Sequence, residues 1–386
     1  MTGFGQTDGD GEPLEEAARL LSGRQSETLN PADPFTFGLP MLLHSEFMKA
    51  GTLDEAVARC QYNPYELVSD GFGRGSEPLV KSEAALLRCD MENASLYAKQ
   101  AVFEAEQKHQ YFVMASACST LMRRSLFLGD TEDAAAQTDE LRFIVSTAAR
   151  EYPDSRLTVR LLREALSLAE CFFNTSLGRF SEISADFLTG SHESIVIGLG
   201  VPQMYAARSM YVTGNPAGAL RLCGKLHDLP NVCQCARLYA LILTALCREK
   251  LDGAGSGMPT LATALGEAQQ DGIFLPFAEN PDVLPLLNGL KRNAVIRDDF
   301  LSEVKRQCES YSAVAPAAIS QEPVSLSKRE LAVLRLIAQG KSRADVSAVF
   351  HVQENTVKAQ LASAYKKLGA RGKTDAIRLA KTYGLL

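Results

Sequence analysis

The chain has 386 residues, 46% of them hydrophobic and 22% charged, with no Trp and a net charge of -6. That length provides for two or three domains with buried cores, and the apolar content excludes wholesale disorder. The longest apolar run, Leu238–Cys247, is ten residues with one Thr, too short to span a bilayer. A soluble cytoplasmic protein without a membrane partner is therefore expected, and the acidic, Gly-rich start Met1–Glu12 is unlike a secretory signal.

Residues 1–35 are polar and rich in Gly, Asp and Pro and read as a flexible arm, with one short helix over Pro13–Leu21. Asp8 and Asp10 do not make a phospho-acceptor site, because no hydrophobic strand precedes them and no βα alternation follows.

From residue 36 to 309 the apolar period is helical. Val80, Ala84 and Leu87 share one face, as do Ala98, Val102 and Ala105, and then Leu141, Ile144, Val145 and Ala148. Ser194–Gly198 is the sole strand candidate. Five segments share a pattern of a turn residue followed by a helix opening on acidic or small residues: Gly51–Ala56, Cys89–Ala94, Gly129–Ala134, Gly178–Ile183 and Gly214–Ala219, spaced by 38, 40, 49 and 36 residues. Such spacing is that of stacked helical hairpins, and the stretch resembles degenerate tetratricopeptide-like repeats that lack the family's Trp. Ala262–Leu290 is similar to the last sensor repeat of MalT-like regulators, although no phosphate-binding loop of their ATP-binding domain is present. Gly372-Lys373-Thr374 ends like such a loop, but Lys367 stands where its first Gly belongs.

The nine Cys residues are scattered through apolar helical text, as expected of reduced thiols that pack as small hydrophobes. Cys223, His227, Cys233 and Cys235 have the spacing of no common zinc module. No nucleophile elbow and no H-E-x-x-H occurs. We therefore expect no metal, no cofactor and no enzymatic activity.

Ser310–Val324 is rich in Ala, Ser and Pro and reads as a linker over 310–324. It separates parts of opposite charge. Residues 325–386 carry 12 Lys and Arg against four acids, or +8, which leaves 28 bases and 42 acids, or -14, for everything before them. A compact basic end on an acidic body is the electrostatic footprint of a nucleic-acid module.

That end parses into four helices. Ser327 and Glu330 form a capping box, as do Ser342 and Asp345, and Gly340 stops the first helix. The third helix runs from about Glu354 to Leu368, with Val357, Leu361, Ala364 and Leu368 on its core side. Opposite lie Asn355, Ala359, Ala362 and Lys366, flanked by Lys358 and Ser363. Cations at the ends of a face with small residues between them suit close entry to a major groove, where Lys donates to guanine, Asn to adenine, and an Ala methyl packs on thymine. Lys341, Arg343, Lys366, Lys367, Arg371 and Lys373 surround this face as candidate phosphate ligands.

The elements Ser327-x-x-Glu330, Gly340-Lys-Ser342, Glu354-Asn-Thr-Val-Lys358, Lys367-Leu-Gly369-Ala-Arg371 and Thr374-x-Ala376 resemble the LuxR-type helix-turn-helix over nearly all of 325–386. The resemblance implies a transcription factor whose third helix reads double-stranded DNA, as a homodimer through its fourth. By position it puts Lys358, Ala359 and Ala362 toward the groove, with Thr356, Lys366 and Lys367 near phosphates. Gln353 replaces the usual Ser or Thr cap, which should weaken the third helix by about 1 kcal/mol, and Gln360 and Ala362 replace a common His and an often basic residue.

The expectation is an all-α protein: a helical-repeat α-solenoid that senses a small-molecule or protein effector in its concave face, joined to a four-helix LuxR-type reader. The alternative is a protein-interaction scaffold with an accessory DNA-binding module.

Overall fold

A computed structural model describes residues 39–61, 71–194, 199–290, 295–315, 326–368, 370, 372–382 and 386. The arm at 1–35 with its Pro13–Leu21 helix lies outside these residues, as does most of the strand candidate at Ser194–Gly198. Among the described residues the chain is all-helical.

The body opens with α1 (Leu43–Glu46) and α2 (Leu53–Gln61). A run of long helices follows: α3 (Ser76–Leu87), α4 (Met91–Glu106), α5 (Tyr111–Phe127), α6 (Thr131–Glu151) and α7 (Arg156–Ser176). After the short α8 (Ala185–Thr189) come α9 (Val201–Val212), α10 (Pro216–His227), α11 (Gln234–Asp252) and α12 (Met258–Ala268). Each long helix packs on the next in sequence, so the body is a succession of helical hairpins. All five turn residues read from the sequence, Gly51, Cys89, Gly129, Gly178 and Gly214, have positive φ. That left-handed step ends one helix and starts the next, and Asp90, Asp130 and Asn215 then cap the new N-termini by accepting from the third amide along. The predicted faces are inward: Leu141, Ile144, Val145 and Ala148 of α6 are all buried, as are Val80, Ala84 and Leu87 of α3.

After α12 the chain turns back through α13 (Leu275–Ala278), a 3-10 turn at Pro281–Val283 and α14 (Leu284–Gly289). The amide of Phe274 bonds the Leu87 carbonyl, and the amides of Gly51 and Leu53 bond the Asp271 carboxylate. Residues 274–283 thus pack back onto the earlier hairpins, and one continuous core extends from Leu39 to Tyr311.

The last body helix, α15 (Asp298–Val314), corrects the linker expected at 310–324. Residues 310–314 are helical, and Tyr311 is 1% exposed, tilted against Phe127 with centroids 5.7 Å apart. Phe300, Val304, Cys308 and Tyr311 continue one buried stripe, so the helical period outlasts the Ser- and Ala-rich composition. Residues 316–325 lie outside the described residues.

A second, smaller core joins α16 (Lys328–Ala338), α17 (Arg343–Phe350), α18 (Glu354–Leu368) and α19 (Lys373–Thr382). It is built from Val333, Leu334, Ile337, Val346, Val357, Leu361, Leu368, Ala376 and Leu379. None of the helices among the described residues is long and apolar enough to cross a membrane.

Candidate nucleic-acid interface

Two capping boxes set the starts of α16 and α17. Ser327 accepts from the Glu330 amide at 3.2 Å while the Glu330 carboxylate takes the Ser327 amide at 2.7 Å; Ser342 and Asp345 do the same at 3.1 and 2.9 Å. Each pair satisfies two orphan donors of a helix end. Gly340 (φ 87) ends α16, and His351 (φ 51) ends α17 in the left-handed region. The short turn from His351 to Gln353 then launches α18, whose first bonds run from the Thr356 and Val357 amides to the Gln353 carbonyl.

On α18 the two faces separate as the period requires. Val357, Leu361, Ala364 and Leu368 are buried, whereas Asn355, Thr356, Lys358, Ala359, Ala362 and Lys366 are exposed. Lys341, Arg343 and Lys373 are exposed as well, at the starts of α17 and α19. Arg371 lies outside the described residues.

Lys367 is placed differently from the other cations. Its ammonium lies 2.7 Å from Glu330 Oε2, and the Ser363 hydroxyl donates to the other carboxylate oxygen at 2.6 Å. Partial burial of Glu330 pushes its carboxyl up, but the bonds from Lys367, Ser363 and Ser327 outweigh this and hold it down at about 2. A cation bound to a carboxylate in its own domain is less available to a phosphate, so among the described candidates Lys341, Arg343, Thr356, Lys366 and Lys373 are the exposed ones without that bond. The capping box of α16 is thereby tied to the last turn of α18. Nothing local in the sequence announces this pair, since its members are 37 residues apart. Sequence reasoning also missed Arg329, whose guanidinium stacks 4.0 Å over the Phe350 ring and joins α16 to the end of α17.

Of the residues weighed as soft ligands, His227 is exposed and the three Cys are buried. Cys223, Cys233 and Cys235 are buried, and burial pushes the Cys223 and Cys233 thiols up to about 12. Cys233 Sγ instead caps α11 by accepting from the Ala236 amide. Among the described residues no three His, Cys, Asp or Glu side chains converge as a metal site.

Residues 324–380 match the family of bacterial regulatory proteins, luxR family. The C-terminal segment is thus a luxR-family helix-turn-helix domain. The chain is 38% identical over 68 residues to the response regulator RamR of Streptomyces coelicolor, covering 18% of this chain and 34% of that protein. It is 39% identical over 98 residues to the transcriptional regulatory protein YdfI of Bacillus subtilis, covering 25% and 43%, and 27% identical over 114 residues to the nitrate/nitrite response regulator protein NarP of Escherichia coli, covering 29% and 50%. The chain therefore spans between a third and a half of these relatives. No solved structure matches it.

Proposed function

We propose that the protein is a DNA-binding transcriptional regulator in which the helical-repeat body controls the luxR-type domain. The observation that carries this reading is the exposed face of α18. It presents Asn355, Lys358, Ala359 and Ala362 together, on a helix whose opposite side is the domain core. Small side chains at Ala359 and Ala362 let the helix axis come close to base edges, Lys358 and Asn355 supply the donors that read them, and Lys341, Arg343, Thr356, Lys366 and Lys373 hold phosphates on either side. As with other two-fold readers, a homodimer through α19 would engage two half-sites. The body is the effector domain in this reading, and it acts on DNA binding only through an effector that distinguishes two of its states.

The test is a fluorescence-anisotropy titration of the full chain with duplex DNA selected from a random pool. The reading expects enrichment of one short motif over random sequence by about 10³-fold or more in affinity, an order typical of specific binders. Equal, weak binding to every sequence would leave the body's interactions as the protein's business and the helix-turn-helix as an accessory.

A further inference from the structure

Two arginines lie deep in the body core, on helices that otherwise read as apolar. Arg123 of α5 is 3% exposed and Arg208 of α9 is 2% exposed. Both guanidiniums lie over the ring of Phe172, at 4.9 and 4.6 Å from its centroid. Arg123 is fully engaged: Nε and Nη2 donate to the Glu279 carboxylate at 3.1 and 2.8 Å, and Nη2 also reaches Tyr239 Oη. Arg208 is not. Its Nη2 donates to the Glu279 carbonyl at 3.1 Å, while Nε and Nη1 are buried and meet no acceptor. Among the described residues no carboxylate pairs with it. Glu83, a second carboxylate near Arg123, is turned onto the amides of Leu42 and Leu43 at 2.8 Å, and burial pushes it up to about 8. Of the two guanidiniums, only that of Arg123 thus has a carboxylate partner, Glu279. A buried charge without a counter-charge is among the costliest arrangements in a core, and ring stacking offsets only part of that cost.

The elements that hold Arg208 also wall a cleft. Tyr211 stands one turn after Arg208 on the same face of α9, and Asp282 stands three residues after Glu279. Together with Leu246, Lys250, Met258 and Leu286 they line a cleft of about 480 Å³, within the range of small-molecule sites. Tyr211 Oη donates to Asp282 at 2.7 Å, and the Lys250 ammonium lies 4.1 Å over the Tyr211 ring. The 279–283 turn holds Arg208 through the Glu279 carbonyl, supplies Asp282 to the cleft wall, and packs against α15.

We propose that Arg208 anchors a small organic acid: its carboxylate takes the guanidinium donors left unmatched, and its apolar part lies in the cleft over Leu246, Met258 and Leu286. Entry opens the Tyr211–Asp282 latch and shifts the Pro281–Val283 turn while Glu279 keeps its bonds to Arg123, so occupancy reaches α15, the last described helix before the DNA-binding domain. This deepens the reading of the body as an effector domain and rests on it.

Thermal unfolding of the full chain without DNA tests the site, with sodium hexanoate, inorganic phosphate and sodium chloride compared at matched ionic strength. Hexanoate near 100 times its Kd should raise Tm by on the order of 5 °C over chloride, and Arg208→Met should abolish the rise. Gly289→Leu is the second variant. A Cβ at Gly289, which lines the cleft, meets only Met258 Cε, at 3.7 Å, so the larger side chain occupies part of the cleft, and it too should abolish the rise. This variant decides the matter if Arg208→Met does not fold. No hexanoate effect, or one that survives Gly289→Leu, overturns the proposal. An equal rise with phosphate overturns the organic-acid class. Because DNA is absent, failure here leaves the DNA-binding reading standing, and failure to bind DNA leaves this measurement unaffected.

Discussion

The ammonium of Lys367 and the carboxylate of Glu330 meet at 2.7 Å, with the lysine 43% and the glutamate 8% exposed. The same carboxylate closes the capping box of α16 and accepts from Ser363, so one acid fixes the tilt of the reading helix α18 against the start of the domain. Glu330→Gln should destabilise the domain by about 1–3 kcal/mol, the usual cost of breaking charged hydrogen bonds at a mostly buried site. Because the carboxyl is held at about 2 in the fold, below its ordinary value, its stabilisation is present above the ordinary carboxylate range and is lost as pH falls through the folded value. Urea melts of wild type and variant should therefore differ fully at pH 7 and converge between about pH 4.5 and 2. A gap that does not change with pH would show that Glu330 acts through packing alone.

Lys366 and Lys367, adjacent in sequence, should behave differently. Lys366→Gln is expected to weaken binding on all sequences alike and to make the slope of log K against log salt shallower by about 0.9, one phosphate contact. Lys367→Gln should leave that slope nearly unchanged and lower the stability of the domain. Equal slope changes in the two variants would return Lys367 to the phosphates.

Lys358→Ala should reduce discrimination among sequences by about 1–3 kcal/mol if its ammonium reads a guanine edge. The check is the ratio of affinities for the selected site and for the same site with each G·C pair inverted. An unchanged ratio removes Lys358 from the readout.

Two glycines at similar φ should differ in cost when given a side chain. At Gly75 (φ 86) a Cβ would sit 2.6 Å from the Ala101 carbonyl oxygen, whereas at Gly340 (φ 87) it would meet nothing within 4 Å. Gly340→Ala should cost only the left-handed strain, about 1–2 kcal/mol, and Gly75→Ala about 1–3 kcal/mol more, because α3 and α4 must separate. Equal losses in chemical denaturation would argue against the close approach of these helices.

The core face of α18 is legible in the sequence alone. Val357, Leu361, Ala364 and Leu368 follow from period, and both capping boxes follow from residue type at a fixed offset. Tyr311 is harder to place, because the Ser and Ala around it mask a stripe that begins at Phe300 and continues at intervals of four, four and three residues. The Arg123–Glu279 pair has no such signal, since its partners stand 156 residues apart and only the return of the chain through 274–283 brings them together. Short-range chemistry is written locally, whereas the pairing of buried charges is decided by how the hairpins close.

Whether the acidic body restrains the basic domain is decided by comparing DNA binding with and without it. Anisotropy titrations on one selected duplex should be run for the full chain and for a fragment of residues 315–386, at several salt concentrations and matched protein concentration. Residues 1–324 carry -14 and residues 325–386 +8, and a tether between them keeps the two parts at a high effective concentration. Restraint by the body predicts that the fragment binds more tightly at low salt and that its advantage shrinks as salt screens the contact. If the full chain binds as tightly as the fragment or more tightly at every salt concentration, the body does not restrain the reader.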